Sequence, residues 1–321
     1  MTADEPQAVG AGARRATAAQ LEARPGLFEF RSGFWLNLHH ALYREAVVRQ
    51  RGRGEPAGAE LDGEERRAWD AAVDHYVAQL VERSLLFDIG MVETKNRLAE
   101  LGGAPSLSGA GLEPELAAVL ESAAPIYRAR LWPRHDPANR AFIEHVGPLA
   151  AAHADLAREL AAAYREPWPE EPVAVDVSVY AGWAGAYTTL RPLHLTIAAS
   201  DPRHRGEAAL EILFHEASHG LVGTIQEALE RELRARDKLL PRDDRWHALL
   251  FYTTGELVRR RLPGYAPYAE AQGLWREGPW GAMLPALREH WQPYVDGKVD
   301  FETAIARLVG GLPETPPPGP T

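Results

Sequence analysis

The decapeptide Ile212-Leu213-Phe214-His215-Glu216-Ala217-Ser218-His219-Gly220-Leu221 carries the pattern His-Glu-x-x-His in an otherwise uncharged run. On an α-helix, residues four apart lie about 40° apart around the axis and about 6 Å along it, so His215 and His219 can aim two imidazoles at one ion. Glu216 sits one residue along and points beside that ion, where it can take a proton from a water without being a ligand. From Glu207 to Gly223, Leu210, Leu213, Phe214, Ala217 and Leu221 recur at spacings of three and four. That period predicts a helix, and the absence of other charge from Ile212 to Leu221 predicts that it is buried.

Upstream the period changes. Val173, Val175, Val177 and Val179 alternate with Ala174, Asp176, Ser178 and Tyr180, which predicts a half-buried strand. A turn at Ala181 to Gly185, a second strand at Ala186 to Leu190 and a third at Leu193 to Ala199 follow. Downstream, Glu227 to Asp244 reads as a charged segment, after which a strong helix runs to Arg261. Asp243 or Asp244 suits its start, and Arg259, Arg260 and Arg261 suit its negative end.

The first half of the chain reads as helical. Phe28 to Gln50 and Glu64 to Leu101 show apolar stripes, and Pro114 to Arg128 and Ala138 to Tyr164 suit further helices. The predicted organisation is a flexible leader (1–26), a helical region (27–170), a region holding the motif and short C-terminal helices (171–312), and a Pro-rich tail (313–321). The predicted fold class is α+β and predominantly helical, with a small antiparallel or mixed sheet, the motif helix and a second ligand helix.

The formal net charge of -10, with no block of Lys and Arg to offset it, argues against nucleic acid and anionic membrane as partners. There is no Cys, so any metal must be held by His, Asp or Glu. No apolar run approaches the roughly 18 residues of a membrane span, and Met1 to Arg24 lacks the apolar core of a secretory signal. A cytoplasmic protein is therefore expected.

Strand, His-Glu-x-x-His helix and a second helix supplying an acidic ligand is the layout of the gluzincin metallopeptidases, which the chain resembles from about Val173 to Arg261. The resemblance implies one zinc held by His215, His219 and a downstream Glu, with Glu216 as general base. It also implies that a strand placed like Leu193 to Ala199 lies along the cleft and pairs with an extended substrate, which puts His194 and Thr196 among candidate substrate-binding residues. A metzincin pattern is excluded, because the positions that would hold its Gly and third His are Val222 and Ile225.

For the third ligand the second helix offers His247 and Glu256. They are nine residues apart, a rotation of about 180°, so both cannot face one ion on an unbroken helix. Tyr252 and Leu249 share the face of Glu256, and this favours Glu256 as ligand, with Tyr252 able to donate to an oxyanion. His247 is then left to orient substrate, or is itself the third ligand. Tyr265 and Tyr268 are alternative oxyanion donors. His39 and His40 fall on the first helix and read as hydrogen-bonded core residues rather than a second metal site. The function expected is zinc-dependent hydrolysis of a peptide or small amide. The alternatives are a metal enzyme acting on another small molecule and a non-catalytic binding protein on the same scaffold, which would have no need of Glu216.

Overall fold

The computed structural model describes residues 26–52, 60–240, 243–276 and 278–313. The expected leader, but for Gly26, and the tail beyond Pro313 lie outside the described residues. The fold is predominantly helical α+β around a small four-stranded mixed sheet, as the sequence predicts.

The chain opens with a strand that the sequence reading folds into its first helix. Phe28–Arg31 is β1, and helix α1 (Phe34–Arg51) begins only after Ser32-Gly33. The stripe expected from Glu64 to Leu101 is two helices, α2 (Gly63–Gln79) and α3 (Ile89–Leu101). Between them Ser84 Oγ accepts from the amides of Leu86 and Phe87, and Asp88 caps α3 by accepting from Met91 N–H at 3.0 Å. These local acceptors stop one helix and start the next.

Helix α4 (Pro114–Ile126) continues through a wider, π-type turn (Tyr127–Leu131) into α5 (Trp132–Ala152), and α6 (Leu156–Tyr164) follows. Strands β2 (Val173–Ser178), β3 (Ala186–Leu190) and β4 (Leu193–Ala198) match their predicted positions closely. Sheet order is β1-β2-β4-β3, with β3 alone antiparallel. The strand expected to border a cleft, β4, is therefore interior, and the edges are β1 and β3.

The motif helix is α7 (Ala208–Ser218), closed by a tight turn at His219–Leu221. The charged segment expected after it is largely a helix, α8 (Gly223–Ala235), whose Ile225, Ala228, Leu229 and Leu233 are buried while its Glu and Arg residues face outward. Helix α9 (Arg245–Arg261) is buried along most of its length. Short helices α10 (Tyr268–Ala271), α11 (Gly278–Ala286), α12 (Gln292–Val295) and α13 (Phe301–Gly311) complete the described chain.

The two sheet faces differ. Val175, Val177, Leu195 and Ile197 face α7 and are wholly buried against residues such as Leu213 and Phe214, each such side chain contributing about 1.5–3 kcal/mol. Residues of the opposite parity, among them Asp176, Ser178, Tyr187, Thr189, His194 and Thr196, face the N-terminal helices and are also buried. Their partners come from α1 and α3: His40 bridges Ser178 Oγ and Tyr187 OH at 3.1 Å each, and Lys95 Nζ donates to Thr189 Oγ1 at 2.7 Å. Two apolar clusters flank the sheet, one built on α1–α4, the other on α5–α9 and the C-terminal helices. Residue 170 marks no break in packing, since β1 pairs with β2 and α5 packs with α7.

Candidate metal centre

Helices α7 and α9 run antiparallel, and their register decides which side chains meet. Glu211 faces Gly255, His215 stacks on Phe251 with ring centroids 3.7 Å apart, and His219 lies beside Trp246 and His247. Each step towards the C-terminus of α7 is matched by a step towards the N-terminus of α9. The close approach at Glu211 needs a residue without a side chain, because a Cβ on Gly255 would stand 2.8 Å from Pro267 Cβ and 3.0 Å from Glu211 Oε1. At the other end Asp243 accepts from the backbone N–H and guanidinium of Arg245, fixing the helix start just before His247.

One ring nitrogen from each of His215, His219 and His247 lies within 4.8 Å of the others. His215 Nε2 and His247 Nε2 are 3.0 Å apart, and the ring centroids stand 5.1, 5.1 and 4.9 Å apart in pairs. Ligand nitrogens about 2.0–2.1 Å from a tetrahedral zinc stand roughly 3.3 Å from one another, so small ring rotations would seat an ion. Burial holds all three rings neutral and therefore able to ligate. Desolvation, reinforced by His247 and His219, holds the His215 pKa well below the ordinary value; burial and then His247 lower His219 to about 3, and burial lowers His247 to about 4. Three converging neutral imidazoles suit a first-row transition ion such as zinc, copper, nickel or iron and do not suit calcium or magnesium.

Glu216 borders this group. Its Oε2 lies 4.0 Å from His219 Nε2 and accepts from Thr188 Oγ1 at 2.6 Å, and the same hydroxyl reaches the Glu216 carbonyl at 2.9 Å. Burial raises its pKa to about 7, against the Thr188 hydrogen bond, which lowers it. A carboxyl poised near neutrality beside three neutral imidazoles is equipped to take up and return a proton.

Of the residues expected at the site, His215, Glu216 and His219 come together, and His247 joins them as the third imidazole. Glu256 does not. It lies nine residues beyond His247, about 13 Å along the axis and on the opposite face, where its carboxylate pairs with Arg259. Tyr252 falls on the Glu256 side too, donating to Gln292 Oε1 at 2.7 Å. His194 and Thr196 project from the sheet face turned away from α7, where His194 Nε2 lies against the Asp176 carboxylate. Tyr265 is committed to Glu211, its hydroxyl 2.7 Å from Oε2, whereas Tyr268 stacks on Phe251 at 5.9 Å. His39 and His40 bond to Tyr76, Ser178 and Tyr187, as expected of core histidines.

Sequence reasoning missed Thr188, Phe251, Trp246 and Trp280. Trp246 and Trp280 flank His247, each with its ring centroid 5.2 Å away. Only the aromatic density from Trp246 to Trp280 hinted at them, and nothing in Ala186 to Leu190 marked Thr188 as the partner of Glu216. Compared with protein-family models, curated proteins and solved structures, the chain matches none.

Proposed function

We propose that the protein is a zinc-dependent hydrolase of a peptide or other amide bond, with His215, His219 and His247 as ligands and Glu216 as general base. The observation that supports it is the convergence of three neutral imidazoles, one buried and two half-buried, beside a carboxylate held by Thr188. When bound there, zinc would polarise a carbonyl and acidify a water. Glu216 accepts the proton at a carboxylate oxygen and passes it to the departing amine, while the Thr188 hydroxyl keeps that carboxylate in place. Burial of the group excludes bulk water from these proton transfers. The third ligand departs from the gluzincin resemblance, which implies a Glu; what the resemblance keeps is the strand, the motif helix and the second helix.

Elemental analysis of the purified protein, beside a peptide-library digest of wild type and Glu216→Gln, tests this. About one zinc per chain is expected in both. Cleavage in the variant should fall by roughly two to four orders of magnitude, because an amide cannot accept the proton. A variant that digests at the wild-type rate removes Glu216 from the mechanism, and a wild type without zinc removes the centre.

A further inference from the structure

The three imidazoles are walled by rings. Phe251, itself buried, covers one face of His215. Trp246 lies nearly parallel to His247, with 27° between planes, and meets His219 edge-on at 5.6 Å. Trp280 meets His247 edge-on and stands 5.7 Å from Phe251, and Tyr268 and Trp275 extend the panel. Glu211 steadies the far end of this panel by accepting from the Tyr268 backbone N–H at 2.8 Å.

Burial distinguishes the closed side of the imidazole group from the side that opens towards solvent. His215, Glu216 and Phe251 are buried, whereas His219, His247, Trp246 and Trp280 are half-buried. The mouth is therefore bounded by two indoles, and Trp280 is fixed there by its N–H donating to Asp244 Oδ1 at 3.1 Å. The rings dominate the surroundings of the imidazoles, joined by the carboxylates of Glu216 beside His219 and of Asp244 near His247. Such a mouth offers π faces and apolar area to an incoming group, and prefers offset-stacked or edge-on planar partners.

We infer that the centre takes substrates carrying a planar aromatic group next to the scissile carbonyl, seated against Trp246 and Trp280. This rests on the metal centre proposed above and adds to it the class of acyl group. The stacking geometry discriminates a planar ring from a saturated ring of the same size, because both bury similar area but only the first has a π face.

The test uses three zinc-binding probes on the zinc-loaded protein: acetohydroxamate, benzohydroxamate and cyclohexanecarbohydroxamate, with affinities from calorimetric titration. Benzohydroxamate is expected to bind about tenfold tighter than acetohydroxamate and several-fold tighter than the cyclohexyl probe. In Trp280→Leu and Trp246→Leu, each shown by elemental analysis to keep its zinc, the advantage of the aromatic probe should shrink to about threefold or less. Equal binding of the two ring probes, or an aromatic advantage unchanged in both variants, overturns the inference while the metal centre stands. Failure of all three probes on a protein that holds no zinc overturns the metal centre and the inference with it.

Discussion

Among the described residues two clusters of neighbouring histidines reach into the interior, and they differ in what their ring nitrogens face. His39 and His40 are fully buried, as deeply as His215. Yet His39 Nδ1 lies 2.7 Å from Tyr76 OH, and both nitrogens of His40 have hydroxyl partners from other elements. In the second group the rings turn towards one another, with His215 Nε2 3.0 Å from His247 Nε2. Burial alone therefore does not identify a metal ligand. What separates the two groups is where the ring nitrogens point: towards hydroxyls of other elements in one, towards one another in the other.

That contrast can be broken most directly at the metal. His215→Ala, His219→Ala and His247→Ala should each lose zinc on dialysis, an affinity drop of at least about a hundredfold, whereas His40→Ala and Glu256→Ala should retain it. Competitive chelator titration decides this, and zinc kept by His247→Ala but lost by Glu256→Ala would restore the ligand set that the gluzincin resemblance implies. The next effect concerns stability. His40→Ala strands Ser178 and Tyr187 in the polar layer and should cost about 2–4 kcal/mol in urea unfolding, with metal content unchanged.

The smallest effect is a slope. Burial lowers the pKa of His39 to about 4, below the roughly 6.5 of an unfolded histidine. Between these values the unfolded chain binds the proton and the folded chain does not. This group's contribution is thus intact above pH 6.5 and is lost as pH falls towards 4, at about 1.4 kcal/mol per pH unit. Unfolding free energy measured from pH 6.5 to 5 should fall less steeply in His39→Gln than in wild type, by about one proton's worth. Identical slopes would mean that His39 takes up its proton in the folded state.

How much of this was legible in the sequence follows from what each signal reports. The strands from Val173 to Ala198 were readable because alternation with a period of two has few other causes, and the motif because helical spacing forces His215 and His219 together. Strand β1 was not, because Phe28 and Phe30 precede Ser32-Gly33 and an equally apolar helix, and a stripe drawn from Phe28 runs across the break. Helix α8 was hidden by its charges, although Ile225, Leu229 and Leu233 hold a strict spacing of four. The choice between His247 and Glu256 was out of reach for a different reason. Helix α9 is buried on nearly all sides, so polarity says nothing about which face meets α7. The antiparallel register is what brings His247, rather than Glu256, beside His215 and His219, and that register goes with the contact between Glu211 and Gly255, a tertiary fact.

The continuous helix from Pro114 to Ala152 has a consequence for the molecule as a mechanical object. Its first half, with Leu116, Leu120 and Tyr127, is rooted in the N-terminal core, and its second half, with Phe142 and Val146, in the core beneath the three converging imidazoles. The π-type turn at Tyr127–Leu131 rotates the apolar stripe between the two. The helix therefore works as an axle gripped at both ends: neither core can melt without loosening the bearing of the other, and a fragment boundary placed between them would saw through the axle itself.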